Sequence, residues 1–67
     1  MNIDYADAIL NLRAKLNMSQ QEMAKFLNVS FPSISRWENG HYQPTKLVKV
    51  KIVNLLKENH IEIKECK

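Results

Sequence analysis

Apolar residues recur along most of this chain at the period of a helix rather than that of a strand. Ile9, Leu12 and Leu16 fall at i, i+3 and i+7, with Ala6, Leu10 and Arg13 on the neighbouring face, which predicts a first helix from about Asp4 to Leu16. Asp4 or Asn2 would cap it. In "NMSQQEMAKFLN", Ser19 and Glu22 make the S-x-x-E pattern of a capping box and start a second helix, about Gln20 to Leu27. Met23, Ala24 and Leu27 face inward, and Asn28 stands where a left-handed residue ends a helix. "VSFPSISRWENG" predicts a third helix to about Glu38, with Ser30 as cap, Pro32 in the first turn and Gly40 as the stop. Pro44 opens a fourth, from about Thr45 to Glu58.

Two stretches carry a competing signal. "KLVKVKIV" alternates as a strand would, but Val48, Ile52, Leu55 and Leu56 keep helical spacing over a long segment, so a helix is expected. The tail "HIEIKECK" alternates cleanly and reads as a short strand or a frayed end. One Gly and two Pro in 67 residues leave room for few, short loops. The expected fold is therefore all-α, a small bundle of four or five helices in one domain over residues 1–58, with a tail at 59–67.

Composition narrows the functions. No apolar run approaches the ~18 residues of a membrane span, and "MNIDYADAIL" has no basic region before an apolar one, so no secretory signal is expected. The single cysteine, Cys66, cannot form an internal disulfide, which fits a reducing cytoplasm. His41 and His60 lie far apart and Cys66 has no second thiol, so neither metal nor cofactor is expected. With no phosphate loop or nucleophile motif, the chain does not read as an enzyme. A net charge of +3 permits an anionic partner without requiring one.

The second and third helices, joined by a tight turn, have the layout of a helix-turn-helix over about residues 20–38. The small Ala24 suits a close crossing, while Val29, Ile34, Met23 and Trp37 would lock the pair together. The stretch from Leu12 to Leu56 resembles the Cro/C1-type (XRE-like) family, whose fold is lambda-repressor-like. It carries Leu12-Arg13, Ser19-Gln20, Met23-Ala24, Leu27, Val29-Ser30, Ile34-Ser35-Arg36-Trp37-Glu38-Asn39-Gly40 and Pro44 of the family pattern. It departs at Asn28, where the family usually has Gly, and at Phe31-Pro32, where polar base readers are common.

The resemblance implies a sequence-specific module for double-stranded DNA, its third helix in the major groove. Arg36 is the first candidate for base contact, since a guanidinium can fork onto guanine O6 and N7; an exposed Arg pairing with Glu or phosphate is the alternative. Phe31 and Pro32 would press on thymine methyls, unless Phe31 is a hydrophobic staple. Ser33 and Ser30 would meet a base edge or phosphate, or serve as caps. Backbone contacts fall to Gln20, Ser30, Ser35, Asn39, His41, Tyr42 and Lys46, with a solvated loop as the other reading of His41 and Tyr42. Lys49, Lys51 and Lys57 read as a solvated helix face. The resemblance also implies a structural salt bridge between Arg13 and Glu38.

Apolar residues beyond the needs of a three-helix core suggest self-association. Leu55, Leu56, Ile61 and Ile63 are the candidates for a homodimer interface, and a protein partner such as a toxin is the alternative use. The expected role is a repressor binding a pseudo-palindromic operator, in the cytoplasm on the nucleoid, encoded by a bacterium or phage.

Overall fold

The computed structural model describes residues 3–65. It contains four helices over that range: α1 (Tyr5–Leu16), α2 (Gln20–Leu27), α3 (Phe31–Glu38) and α4 (Lys46–Glu58). No fifth helix and no sheet forms among the described residues. The segment with strand-like alternation is helical, because its buried residues Val48, Ile52 and Leu56 lie one helical turn apart. α3 packs across α1 and α2, and α4 packs on α1.

The core draws on every helix. Ile9, Leu12, Met23, Leu27, Ile34, Ile52 and Leu56 are fully buried, each contributing roughly 1.5–3 kcal/mol by leaving water. On α1 the second inward position is Ala8, and Leu10 turns to solvent. Ala24 is buried on α2, where a larger side chain would cost about 1–3 kcal/mol in overpacking. Val29 and Ile34, before and within the first turns of α3, both pack into the core in the arrangement of a hydrophobic staple. Phe31 does not fill that role and stays exposed.

Local chemistry sets the helix starts. The Asp4 carboxylate accepts the Asp7 amide at 3.2 Å to cap α1; the other candidate cap, Asn2, lies outside the described residues, as does Cys66. At α2 the capping box closes both ways: the Glu22 amide donates to Ser19 Oγ at 3.1 Å, and the Ser19 amide donates to Glu22 Oε1 at 2.9 Å. Those bonds hold the Glu22 carboxyl below its usual range, so its contribution is present above the unfolded value and fades as pH falls through the folded one. Ser30 occupies the cap position of α3 but caps no amide; its hydroxyl pairs instead with that of Ser33 at 2.8 Å.

All four helices stop in the same way, in a Schellman motif with one left-handed residue. These residues are Asn17, Asn28, Gly40 and His60, at φ 54°, 58°, 76° and 57°. In each, the next amide reaches back into the last turn: Met18 to Arg13, Val29 to Ala24, His41 to Arg36 and Ile61 to Leu56. His60 is the costly member, since a left-handed L-residue other than Asn or Gly is disfavoured by about 1–2 kcal/mol. His60→Gly should therefore stabilise the domain by about 0.5–1 kcal/mol after the entropy of glycine is subtracted. Thermal melting should show a rise of about 4 °C; an unchanged or lower Tm would contradict it.

The tail is part of the body. Ile61 and Ile63 fold back against the core, and the Asp4 amide donates to the Lys64 carbonyl at 2.9 Å. Ile3 and Glu65 form a single antiparallel bridge there rather than a strand of a sheet. This takes Leu56 out of the dimer surface expected from sequence. Leu56 is 0% exposed and belongs to this chain's own core, while Leu55, Ile61 and Ile63 already give part of their surface to it. The apolar side chains left to solvent on α2 and α4 are Phe26, Leu47 and Val50, with Leu47 79% and Val50 55% exposed.

Candidate nucleic-acid interface

α3 divides cleanly by face. Ile34 and Trp37 turn inward, and Phe31, Pro32 and Arg36 point to solvent with Asn39 just past the helix end. Pro32, Arg36 and Asn39 follow one another at i, i+4 and i+7, so they make one outward stripe on a helix anchored from behind by α1 and α2. Ser33 and Ser35 sit half-buried beside the stripe. The Ser30–Ser33 hydroxyl pair lies at its start. Lacking a core role, Phe31 and Pro32 give this end of the helix an apolar surface, suited to methyl groups rather than to hydrogen-bond donors.

Behind the stripe, one carboxylate joins three helices. Arg13 Nη1 of α1 donates to both oxygens of Glu38 at the end of α3, at 2.9 Å each. Gln20 Nε2, from the first residue of α2, donates to Glu38 Oε1 at 2.7 Å. Arg13 Nε also donates to the Met18 carbonyl at 3.2 Å, which ties in the α1–α2 turn. The Glu38 side chain is 8% exposed and that of Arg13 25%, so the pair sits at the protein margin and is largely shielded. Gln20 is thus oriented by Glu38, with the second hydrogen of its amide left for an acceptor. The first amides of α2 lack partners within the helix, but the Glu22 carboxylate of the capping box stands beside them and opposes an incoming anion.

The loop after α3 is held rather than loose. The His41 amide donates to the Arg36 carbonyl at 3.2 Å, and Gln43 Oε1 accepts from Lys49 Nζ at 2.9 Å. Lys49 also lies over the Tyr5 ring at 5.3 Å, so it is a structural tie and not a solvated lysine. Lys51 and Lys57 do face solvent. Tyr42 is 63% exposed, and the Arg36 guanidinium lies over its ring at 5.6 Å. His41 is exposed on the same connection between α3 and α4, and Lys46 is exposed at the first position of α4. Sequence reasoning did not foresee the Gln20–Glu38 bond or the Arg36–Tyr42 cation–π contact. Both join residues whose spacing matches no local motif.

Among the described residues no group of three or more His, Cys, Asp or Glu side chains could hold a metal ion. No described helix is long and apolar enough to cross a membrane.

Two helices at a tight turn, the second with a solvent-facing stripe, define a helix-turn-helix domain of the DNA-binding class. A helix-turn-helix family model matches residues 9–63, and the chain belongs to this Cro/C1-type (XRE-like) family of DNA-binding regulators. No curated protein and no solved structure matches it.

Proposed function

We propose that the protein is a repressor that places α3 in the major groove of a pseudo-palindromic operator and binds it as a homodimer. The observation that carries the reading is the exposed stripe Pro32, Arg36 and Asn39 on a helix whose other face is fully committed to the core. Arg36 contacts a guanine, Phe31 and Pro32 contact thymine methyls, and Ser33 reaches a base edge. Gln20, Ser30, Ser35, Asn39, His41, Tyr42 and Lys46 flank them on the phosphates and fix the register. The Arg13–Glu38 pair keeps α3 at its angle to α1. Size supports the dimer: the longest extent of the chain is 27 Å, short of the roughly 34 Å between successive major-groove faces. One copy therefore reads one half-site. Occlusion of polymerase is the simplest mode of control for so small a regulator, acting in the cytoplasm on the nucleoid of a bacterium or a phage-infected cell.

Selection of bound duplexes from a random pool tests this reading. A conserved, two-fold symmetric sequence is expected, bound with an affinity that falls steeply with salt. Recovery of no preferred sequence would refute it. Gln20→Ala should weaken binding on all duplexes alike, by lowering a phosphate contact, and leave the selected sequence unchanged; a shifted preference in repeat selection would count against its backbone role.

A second reading, an antitoxin or other protein-binding module, has its own support. Leu47 and Val50 stand out on α4, 79% and 55% exposed, where a monomer has no use for them. A second copy or another protein would cover these residues with Phe26 and Leu55, rather than the buried Leu56. Sedimentation separates the two: a dimer that dissociates on Leu47→Lys supports self-association, and a strict monomer on and off DNA leaves the surface to a different protein.

A further inference from the structure

We infer that Tyr42 is a positioning residue for sequence reading: its ring carries the Arg36 guanidinium and aims it at the DNA. The inference rests on the proposal that Arg36 contacts a base. Its basis is the cation–π contact, with Arg36 Cζ 5.6 Å from the centroid of the Tyr42 ring.

The loop geometry explains why Tyr42 stands there. Gly40 adopts φ 76°, and its amide donates to the Trp37 carbonyl at 3.1 Å. The next amide, of His41, donates to the carbonyl of Arg36 itself at 3.2 Å. The loop is thereby registered on the backbone of the residue whose side chain it supports, and Tyr42 follows one position later. On its far side Gln43 is held by Lys49, so the chain is fixed before and after the ring. Most L-residues take the Gly40 conformation only under strain, although open space surrounds the place of a Cβ. The glycine is needed for the turn and not for room.

The chemistry of a guanidinium over a ring suits the task. A guanidinium resting on an aromatic ring uses its flat face and leaves its donor edge free. That edge carries the two parallel N–H groups that match guanine O6 and N7. Holding a long, flexible side chain in one orientation before binding also reduces the entropy lost on contact. Tyr42 is 63% exposed and gives little to the core, so its ring is available for this use. The ring, not the hydroxyl, performs it. This separates positioning from the phosphate contact that a tyrosine hydroxyl in this loop would make.

The test compares Tyr42→Phe, Tyr42→Leu and Arg36→Ala, alone and with Tyr42→Leu and Arg36→Ala combined. Binding is measured on the best selected duplex and on one with the guanine replaced, at one salt concentration, with circular dichroism to verify folding. Tyr42→Phe should keep the ratio of the two affinities, and Tyr42→Leu should lower it about two- to five-fold, the range of an exposed cation–π contact. In the Arg36→Ala background, Tyr42→Leu should leave the ratio unmoved. Equal weakening of both duplexes by Tyr42→Leu, with their ratio unchanged, would overturn the inference and leave Tyr42 a phosphate contact only. A ratio unaffected by Tyr42→Leu but abolished by Arg36→Ala would overturn it while leaving Arg36 as the reader. A ratio unaffected by Arg36→Ala would overturn both.

Discussion

Arg36→Ala is expected to remove the protein's choice of sequence while sparing most of its hold on DNA. Arg36 is exposed on α3, and among the described residues the carboxylate ion pair that forms is that of Arg13 with Glu38, so no acidic side chain there competes for Arg36. A bidentate contact with guanine is worth roughly 1–3 kcal/mol of discrimination, or about 5- to 150-fold between the right and the wrong base. The phosphate contacts proposed for other residues would be untouched and would continue to supply nonspecific affinity. Titrations of parent and variant against the selected duplex and a scrambled one, at the same salt, give the comparison. The variant should bind the two almost equally, close to the parent's affinity for the scrambled duplex. A uniform loss on both would instead make Arg36 a phosphate contact.

The largest effect on stability is expected from Glu38→Ala. The carboxylate accepts three hydrogen bonds, two from Arg13 and one from Gln20, and is almost enclosed. Its loss leaves Arg13 with the Met18 carbonyl and Gln20 with none of the partners it has now. An exposed ion pair is worth under about 1 kcal/mol, whereas breaking a buried one costs about 3–5. With Arg13 25% exposed, the cost here should be about 2–4 kcal/mol. A domain of this size holds only about 3–10 kcal/mol in total, so the variant should be near the limit of folding. Glu38→Gln keeps an acceptor for one donor and should lose roughly half as much. Urea unfolding followed through the fluorescence of Trp37, the one tryptophan, measures both. A loss under about 0.5 kcal/mol for Glu38→Ala would show that solvent already screens the pair.

What was legible in the sequence was what local chemistry decides. Ser19 and Glu22, Asn28 and Gly40 mark starts and stops through bonds spanning a few residues, and the helices begin and end where those residues stand. Asn17 and His60 do the same work less legibly, because Asn59 and His60 are adjacent and periodicity cannot choose the one that turns left-handed. Leu55 and Leu56 are equally apolar, and only the rotation of α4 on α1 sends the second into the core and the first to its edge. Ser30 looked like a cap because of its position, but its hydroxyl found that of Ser33. The meeting of Arg13 with Glu38 was expected only from the family pattern, since no spacing rule links positions on different helices. Gln20 on Glu38 and Arg36 on Tyr42 depend on how elements settle in space, which composition does not encode.

The four matching helix ends also bear on how the chain finds its fold. Each is closed by bonds between residues three to five positions apart, so each stop can form while the rest of the chain is still open. Local bonds of this kind favour folding in about microseconds to milliseconds, while α3 and α4 still close on α1 over longer separations. The longest closure is the pairing of Asp4 with Lys64 and of Ile3 with Glu65, which joins the two extremes of the described chain. That clasp carries the greatest loop-closure penalty and consists of one backbone hydrogen bond and one isolated bridge. It is therefore the last part of the molecule to zip and the first to exchange its amide hydrogens, and the helix-turn-helix can stay assembled while the ends come apart.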